Sequence, residues 1–253
     1  MSWYSPEVAL RLGQAAVRGL GTTGAYYKLG TPQPVFQKGM TLLQNSHHNK
    51  GTCFTLAERE RLGLRGLLPP KMSTLEQQHE KDLKYFKRMQ EDGTAPILIW
   101  KWLEEIKTRN SHLYYKLLME DINIMAPIVY TPTVGEVCQK WHKLWRRSQE
   151  MYFTPMDQGE MSSIIHNWPQ DQVDLVVVTD GSRILGLGDL GTNGVGITLG
   201  KLDLYIAGGG VDPNRVLPVV LDTGCNRKEL REHADYLGTP IERLEDEAFD
   251  EMV

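Results

Sequence analysis

A β-branched run, Val176-Val-Val-Thr179, breaks at Asp180-Gly181 and feeds a loop with glycines at positions 181, 186, 188 and 191. A strand that ends in so many glycines constrains the fold strongly. Glycine permits positive φ and close backbone approach, so the loop shapes a surface or a tight backbone crossing. Arg183 in this loop offers a planar fork for a carboxylate or phosphate, and Lys201 follows the last glycine of the segment at Gly200. The bland alternative is a glycine-rich βα connection whose two cations are solvated.

Gly186, Gly188 and Gly191 satisfy G-x-G-x-x-G, and the strand-like Val216–Leu221 ends in Asp222. This imitates a dinucleotide-binding unit with its ribose-binding acid. Three features weigh against it. Asp180-Gly181 already ends the strand, Thr192-Asn193-Gly194-Val195-Gly196 is poor helix material, and Asp222 lies about thirty residues beyond the glycines where ~20 are expected. A stand-alone dinucleotide-binding module using the Gly186–Gly191 loop stays as an alternative.

Ile128–Tyr130 reads as a short strand, followed by a proline turn and a helix from about Val134. A tyrosine at a strand's carboxyl end faces the place where open α/β sheets hold ligands. A half-buried structural aromatic is the competing account of Tyr130.

Beyond Tyr130 the strand candidates are Met151–Thr154, Leu175–Thr179 and Val216–Leu221, separated by helix-length connections. The pattern implies a mostly parallel sheet flanked by helices. The helix after Gly135 would place Val137, Trp141, Leu144 and Trp145 on a core face. Its basic residues Lys140, Lys143, Arg146 and Arg147 read as a solvated face rather than an RNA surface.

Residues 55–125 carry helical periodicity. Thr55 with Glu58, and Ser73 with Glu76, have capping-box spacing, and Pro69-Pro70 separates the first two helices. Leu83, Phe86 and Met89 mark the second helix, Trp100, Leu103 and Ile106 the third, and Leu113, Leu117 and Leu118 the fourth. The charged run Glu80–Arg88 is a solvated face, and His47 and His48 belong to a polar loop.

Composition bounds the function classes. The chain has 253 residues, 41% hydrophobic and 24% charged, enough for a sizeable core. A net charge of −4 and a pI near 6.0 point to neither nucleic acid nor membrane. No apolar run approaches the ~20 residues that span a bilayer. Cys53, Cys138 and Cys225 are odd in number and far apart, as free thiols would be. Residues 1–34 hold Arg11, Arg18 and Lys28 against one acid, Glu7, with Val8, Leu12, Ala15 and Ala16 able to line a short helix. That is a transit-peptide-like pattern.

Taken together, Leu62-Gly-Leu-Arg-Gly-Leu-Leu-Pro-Pro70, Tyr130-Thr-Pro-Thr-Val-Gly135, Thr179-Asp-Gly-Ser-Arg-Ile-Leu-Gly-Leu-Gly-Asp-Leu-Gly191, Gly200-Lys-Leu202 and Leu217-Pro-Val-Val-Leu-Asp222 resemble malic enzyme. The likeness is collinear from about Lys38 onward, and it is nearest to the NAD-dependent mitochondrial branch of plants. It implies an α/β fold in three stretches: a leader at 1–34, a helical region at 35–125, and the malic enzyme N-terminal α/β domain at 126–253.

The activity implied is oxidative decarboxylation of (S)-malate to pyruvate and CO2, with NAD or NADP and Mg2+ or Mn2+. By the same resemblance Tyr130 is the general acid, Lys201 the base for the malate hydroxyl, and Arg183 the clamp on a malate carboxylate. Gln78 and Arg109 fall at a possible allosteric anion site. Lys81 stands there in place of an arginine, so fumarate binding is expected to be weak or absent.

The family's metal ligands and NAD-binding domain are expected beyond Val253, and no residue here is assigned to metal or cofactor. The chain is therefore expected to be the substrate-side half of the enzyme, inactive alone. A non-catalytic assembly or regulatory partner of full-length subunits is an alternative. A homo-oligomer, or pairing with full-length subunits, is implied, in the mitochondrial matrix with plastid or cytoplasm as alternatives. Thr192-Asn193, Ile197-Thr198, Thr223-Gly-Cys225 and Arg147-Ser148-Gln149 depart from the family pattern.

Overall fold

The computed structural model describes residues 35–252. The helix expected between Val8 and Ala16 lies outside the described residues. The chain forms two compact units, Met1–Ile128 and Val129–Val253, each described by itself.

The first unit is helical: α1 (Gly39–Gln44), α2 (Leu56–Arg61), α3 (Leu75–Glu91), α4 (Pro96–Arg109) and α5 (Ser111–Glu120). Helix α5 packs against both α3 and α4. The residues that meet there are those the periodicity selects, with Phe86, Trp100, Leu103, Ile106, Leu113, Leu117 and Leu118 all buried. Pro96 occupies the start of α4, where its missing N–H goes unused.

Helix α2 begins with the expected capping box of Thr55 and Glu58. For α3 the box is Thr74 with Gln77, one residue later than Ser73 with Glu76. The cause is Thr52. Its carbonyl accepts from the Ser73 amide at 3.1 Å and its hydroxyl lies 2.5 Å from the Ser73 hydroxyl, so Ser73 is tied to the preceding loop. The segment Leu62–Pro70 supplies core residues Leu62 and Leu64, which join Leu42 and Phe54. Buried Arg59 donates to the Phe54, Pro69 and Thr52 carbonyls and fixes the proline turn.

Residues Ile122–Val129 form a helix, α6, with Pro127 inside it. The strand expected at Ile128–Tyr130 does not form. Asp121 caps this helix, its carboxylate accepting from the Ile124 amide and its carbonyl from the Met125 amide. Met125, Ile128 and Val129 are then buried at helical spacing, which outweighs a β-branched pair too short to make a strand.

The second unit is α/β. Strands β1 (Met151–Phe153), β2 (Leu175–Thr179) and β3 (Val216–Leu221) make a parallel sheet in the order β1-β3-β2. Met151 pairs with Val219 and Leu175 with Val216, which puts the strand carboxyl ends on one side. Central β3 buries Leu217, Val219 and Val220. Helix α7 (Thr133–Gln139) is followed by α8 (Trp141–Leu144), with the chain leaving helical geometry at Lys140. Val137 and Trp141 are buried, but the stripe stops there: Trp145 lies past the helix end and is 37% exposed. Short helix α9 (Met161–Ile164) packs near β1, and α10 (Val195–Gly209) lies on β2, β3 and α7. Helices α11 (Lys228–Arg231) and α12 (Asp246–Met252) complete the unit.

Candidate active site

Strand β2 delivers the chain into the loop Asp180–Leu190 at the carboxyl end of the sheet. The Asp180 carboxylate accepts from the Ser182 amide at 3.0 Å and hydroxyl at 2.9 Å, turning the chain at once. Gly181 has φ 69°, and a methyl group on it would run into the Gly191 carbonyl. Gly194 in turn would place a methyl 2.9 Å from the Gly181 Cα and 3.0 Å from the Ile184 Cδ1. These glycines serve backbone-on-backbone packing.

The middle of the loop is a small antiparallel bridge between Ile184 and Gly188. Arg183 is exposed beside it. Residues Gly191–Gly194 form a 3-10 turn that leads directly into α10 at Val195. The expectation that Thr192–Gly196 resists helix formation was wrong. Thr192, Asn193 and Gly194 are buried, and packing overrides their intrinsic preference.

Helix α10 crosses α7 through Gly196, where an added methyl would lie 2.8 Å from the Cys138 sulfur. One turn later, a methyl on Gly200 would lie 2.7 Å from the Val129 carbonyl oxygen and 2.9 Å from the Tyr130 Cδ2. Tyr130 thus rests on the residue before Lys201. It also belongs to the apolar cluster of Val134, Cys138, Ile184 and Leu190, and Ile184 is the residue after Arg183. Half-buried Tyr130 is the common neighbour of the Lys201 helix and the Arg183 loop. Lys201 is itself half-buried on α10.

A fourth residue has no counterpart in the sequence reading. The Arg243 guanidinium donates to both Asp189 carboxylate oxygens, at 3.1 and 2.7 Å, and to the Asp180 carbonyl at 3.1 Å. It also reaches the Thr223 hydroxyl at 2.5 Å and the Asp180 carboxylate at 3.4 Å. Asp189 accepts in addition from the Gly191 and Asn226 amides, at 2.9 and 2.8 Å. Burial alone would raise the Asp189 carboxyl, but Arg243 and these two amides outweigh it and hold it below the usual carboxylate range.

Asp222, the imitation ribose ligand, is already engaged. Its Oδ2 accepts from the Thr239 amide at 2.6 Å and hydroxyl at 2.8 Å, and the residue is buried. The Tyr236 phenol, pushed up to about 12 by burial, accepts from the Thr192 amide at 3.2 Å. The three cysteines are free thiols, and burial pushes Cys138 up to about 12.

In the first unit, the Gln78 amide donates to the Lys50 carbonyl at 3.2 Å and the Thr52 hydroxyl at 2.8 Å. Arg109 and Lys81 are exposed. The His47 ring lies 3.2 Å from the Ser111 hydroxyl. Among the described residues, no group of three or more His, Cys, Asp or Glu side chains is placed to hold a metal ion, and no helix is long and apolar enough to cross a membrane.

Residues 107–253 match the malic enzyme N-terminal domain. The chain is 48% identical over 248 residues to NAD-dependent malic enzyme 1, mitochondrial, of Arabidopsis thaliana, a match covering 96% of this chain and 39% of that protein. It is 47% identical over 253 residues to NAD-dependent malic enzyme, mitochondrial, of Solanum tuberosum, covering 98% of this chain and 40% of that one. With NADP-dependent malic enzyme, mitochondrial, of Homo sapiens it shares 42% over 222 residues, 88% of this chain and 36% of that protein. The chain belongs to the malic enzyme family. It spans about two fifths of the length of these relatives.

Proposed function

We propose that this chain is the substrate-side portion of an enzyme that oxidatively decarboxylates (S)-malate to pyruvate and CO2. Arg183 grips a malate carboxylate, Lys201 accepts the proton of the malate hydroxyl, and Tyr130 protonates the enolpyruvate carbon once CO2 has left. The observation that carries this reading is the seat of Tyr130, against Gly200 beside Lys201 and in one cluster with Ile184 beside Arg183. Packing of the Tyr130 ring supports this reading, since proton transfer by a side chain needs a fixed position.

The relatives are named NAD- or NADP-dependent, and we extend that dependence, together with Mg2+ or Mn2+, to the assembled enzyme. The described residues do not fit either group: Gly181 is closed off by the Gly191 backbone and Gly191 by the Tyr236 and Cys225 side chains, Asp222 is engaged by Thr239, and no metal-ligand cluster is formed. Every step above is accordingly assigned to side chains of this chain. The same engagement removes the footing of a stand-alone dinucleotide-binding module. A mitochondrial location is supported by the names of the relatives and by the basic, acid-poor residues 1–34.

The test is steady-state kinetics of the assembled enzyme with malate. Arg183→Ala removes binding shared by ground and transition states, so malate KM rises with a smaller change in kcat. Lys201→Ala lowers kcat by ~10²-fold or more. A malate KM untouched by Arg183→Ala would refute the substrate-side assignment.

A further inference from the structure

The loop Asp180–Leu190 enters and leaves the sheet's carboxyl end at two points, and one guanidinium holds both. Arg243 takes the Asp180 carbonyl at the entrance and both oxygens of Asp189 at the exit. The side chains are well covered, with Arg243 12% and Asp189 16% exposed. The geometry is a planar fork on a carboxylate, a fit that lysine cannot reproduce.

Between the two anchors the loop has one further side-chain tether from outside, the Arg227 guanidinium donating to the Leu187 carbonyl, and Leu187 packs beside Ile184. The Ile184–Gly188 bridge is internal to it, Leu185 is 98% exposed, and Gly186 would meet nothing within 4 Å if it carried a methyl. Ile184 is its one buried apolar side chain before Leu190. The Arg243 clasp is the larger of the two tethers, holding both ends of the loop where Arg227 holds a single carbonyl.

We infer that Arg243 is a positioning residue for substrate binding: by clasping Asp180 and Asp189 it sets the loop that presents Arg183 to the malate carboxylate. Arg243 does not touch substrate in this account. Its five donors are directed at Asp180, Asp189 and Thr223. The inference rests on the reading of Arg183 given above, and it concerns a residue remote in sequence from every motif of the site.

Two measurements test it. In the 253-residue chain, hydrogen exchange of the amides between Ser182 and Gly188 is compared for Arg243→Gln, Arg243→Lys and the parent, with thermal unfolding alongside. The expected result is exchange at least ~10-fold faster in this loop for Arg243→Gln, with the β3 amides still protected. Arg243→Lys recovers only part of the protection. Unchanged loop exchange, or a rise spread equally over the sheet, would overturn the inference.

In the assembled enzyme, Arg243→Gln raises malate KM by ~10-fold or more with kcat changed much less, and adds nothing further in an Arg183→Ala background. A generally structural role would add its effect in that background, which would also overturn the inference. If Arg183→Ala leaves malate KM unchanged while the Arg243→Gln loop still loosens, the clasp stands and the reading of Arg183 fails.

Discussion

Tyr130 and Gly200 are in direct contact, so close that a methyl group on Gly200 would stand 2.9 Å from the Tyr130 Cδ2. The absent side chain is what lets α10 pack at Gly200, the residue before Lys201, against the Tyr130 ring. Helix propensity argues the other way, since glycine inside a helix is weaker than alanine by roughly 1 kcal/mol. The position therefore favours closeness over local stability.

Gly200→Ala should accordingly destabilise the fold despite its better helix propensity. The Val129 carbonyl, at 2.7 Å from the added methyl, is backbone and cannot swing away. Overpacking of this kind costs about 1–3 kcal/mol. Thermal unfolding and malate turnover should both fall. A variant more stable than the parent, as propensity alone would give, would show that the contact is loose.

Asp222→Ala separates structure from cofactor chemistry. Asp222 accepts two hydrogen bonds from Thr239, and its removal leaves a part-buried amide and hydroxyl without their acceptor. The expected loss is about 2–3 kcal/mol in unfolding free energy, measured by denaturant titration. NAD KM of the assembled enzyme should stay within about two-fold once folded protein is compared. A selective rise in NAD KM would restore the ribose-binding role for Asp222.

Much of this architecture is legible in the sequence because strands and helix faces declare themselves locally. Leu175–Thr179 and Val216–Leu221 form strands at the expected boundaries, and the helical stripes around Trp100 and Leu113 are buried as expected. The failures have tertiary or capping causes. Asp121 converts the region of Ile128 into a helix, and Thr52 shifts a cap from Ser73 to Thr74. Motifs carried Tyr130, Arg183 and Lys201 into one unit, but nothing marked Arg243. It meets Asp189 across 54 residues and Asp180 across 63, a pairing that no local pattern encodes.

The Arg243–Asp189 pair gives a pH signature. The Asp189 carboxyl is held below its ordinary value in the folded chain, so the unfolded chain binds the proton more readily. Its contribution is complete above about pH 4, near the unfolded aspartate value, and is lost as pH falls through the lower folded value. Asp189→Asn should cost about 2–3 kcal/mol at neutral pH, and that deficit should shrink on acidification. Unfolding free energies from pH 7 down to 3 check this. A deficit that stays constant across the range would contradict the ion-pair account.

The central claim is that the phenol at position 130 moves a proton, and Tyr130→Phe tests it most directly. The substitution keeps the ring on Gly200 and in the cluster with Ile184 while removing the hydroxyl alone. Stability should change by no more than about 1 kcal/mol. The measurement is malate kcat of the assembled enzyme, with Tyr130→Phe and parent at matched folded concentration. The account predicts a loss of ~10²- to 10⁴-fold with little change in malate KM. Turnover at the parent rate would contradict it and leave Tyr130 a packing residue.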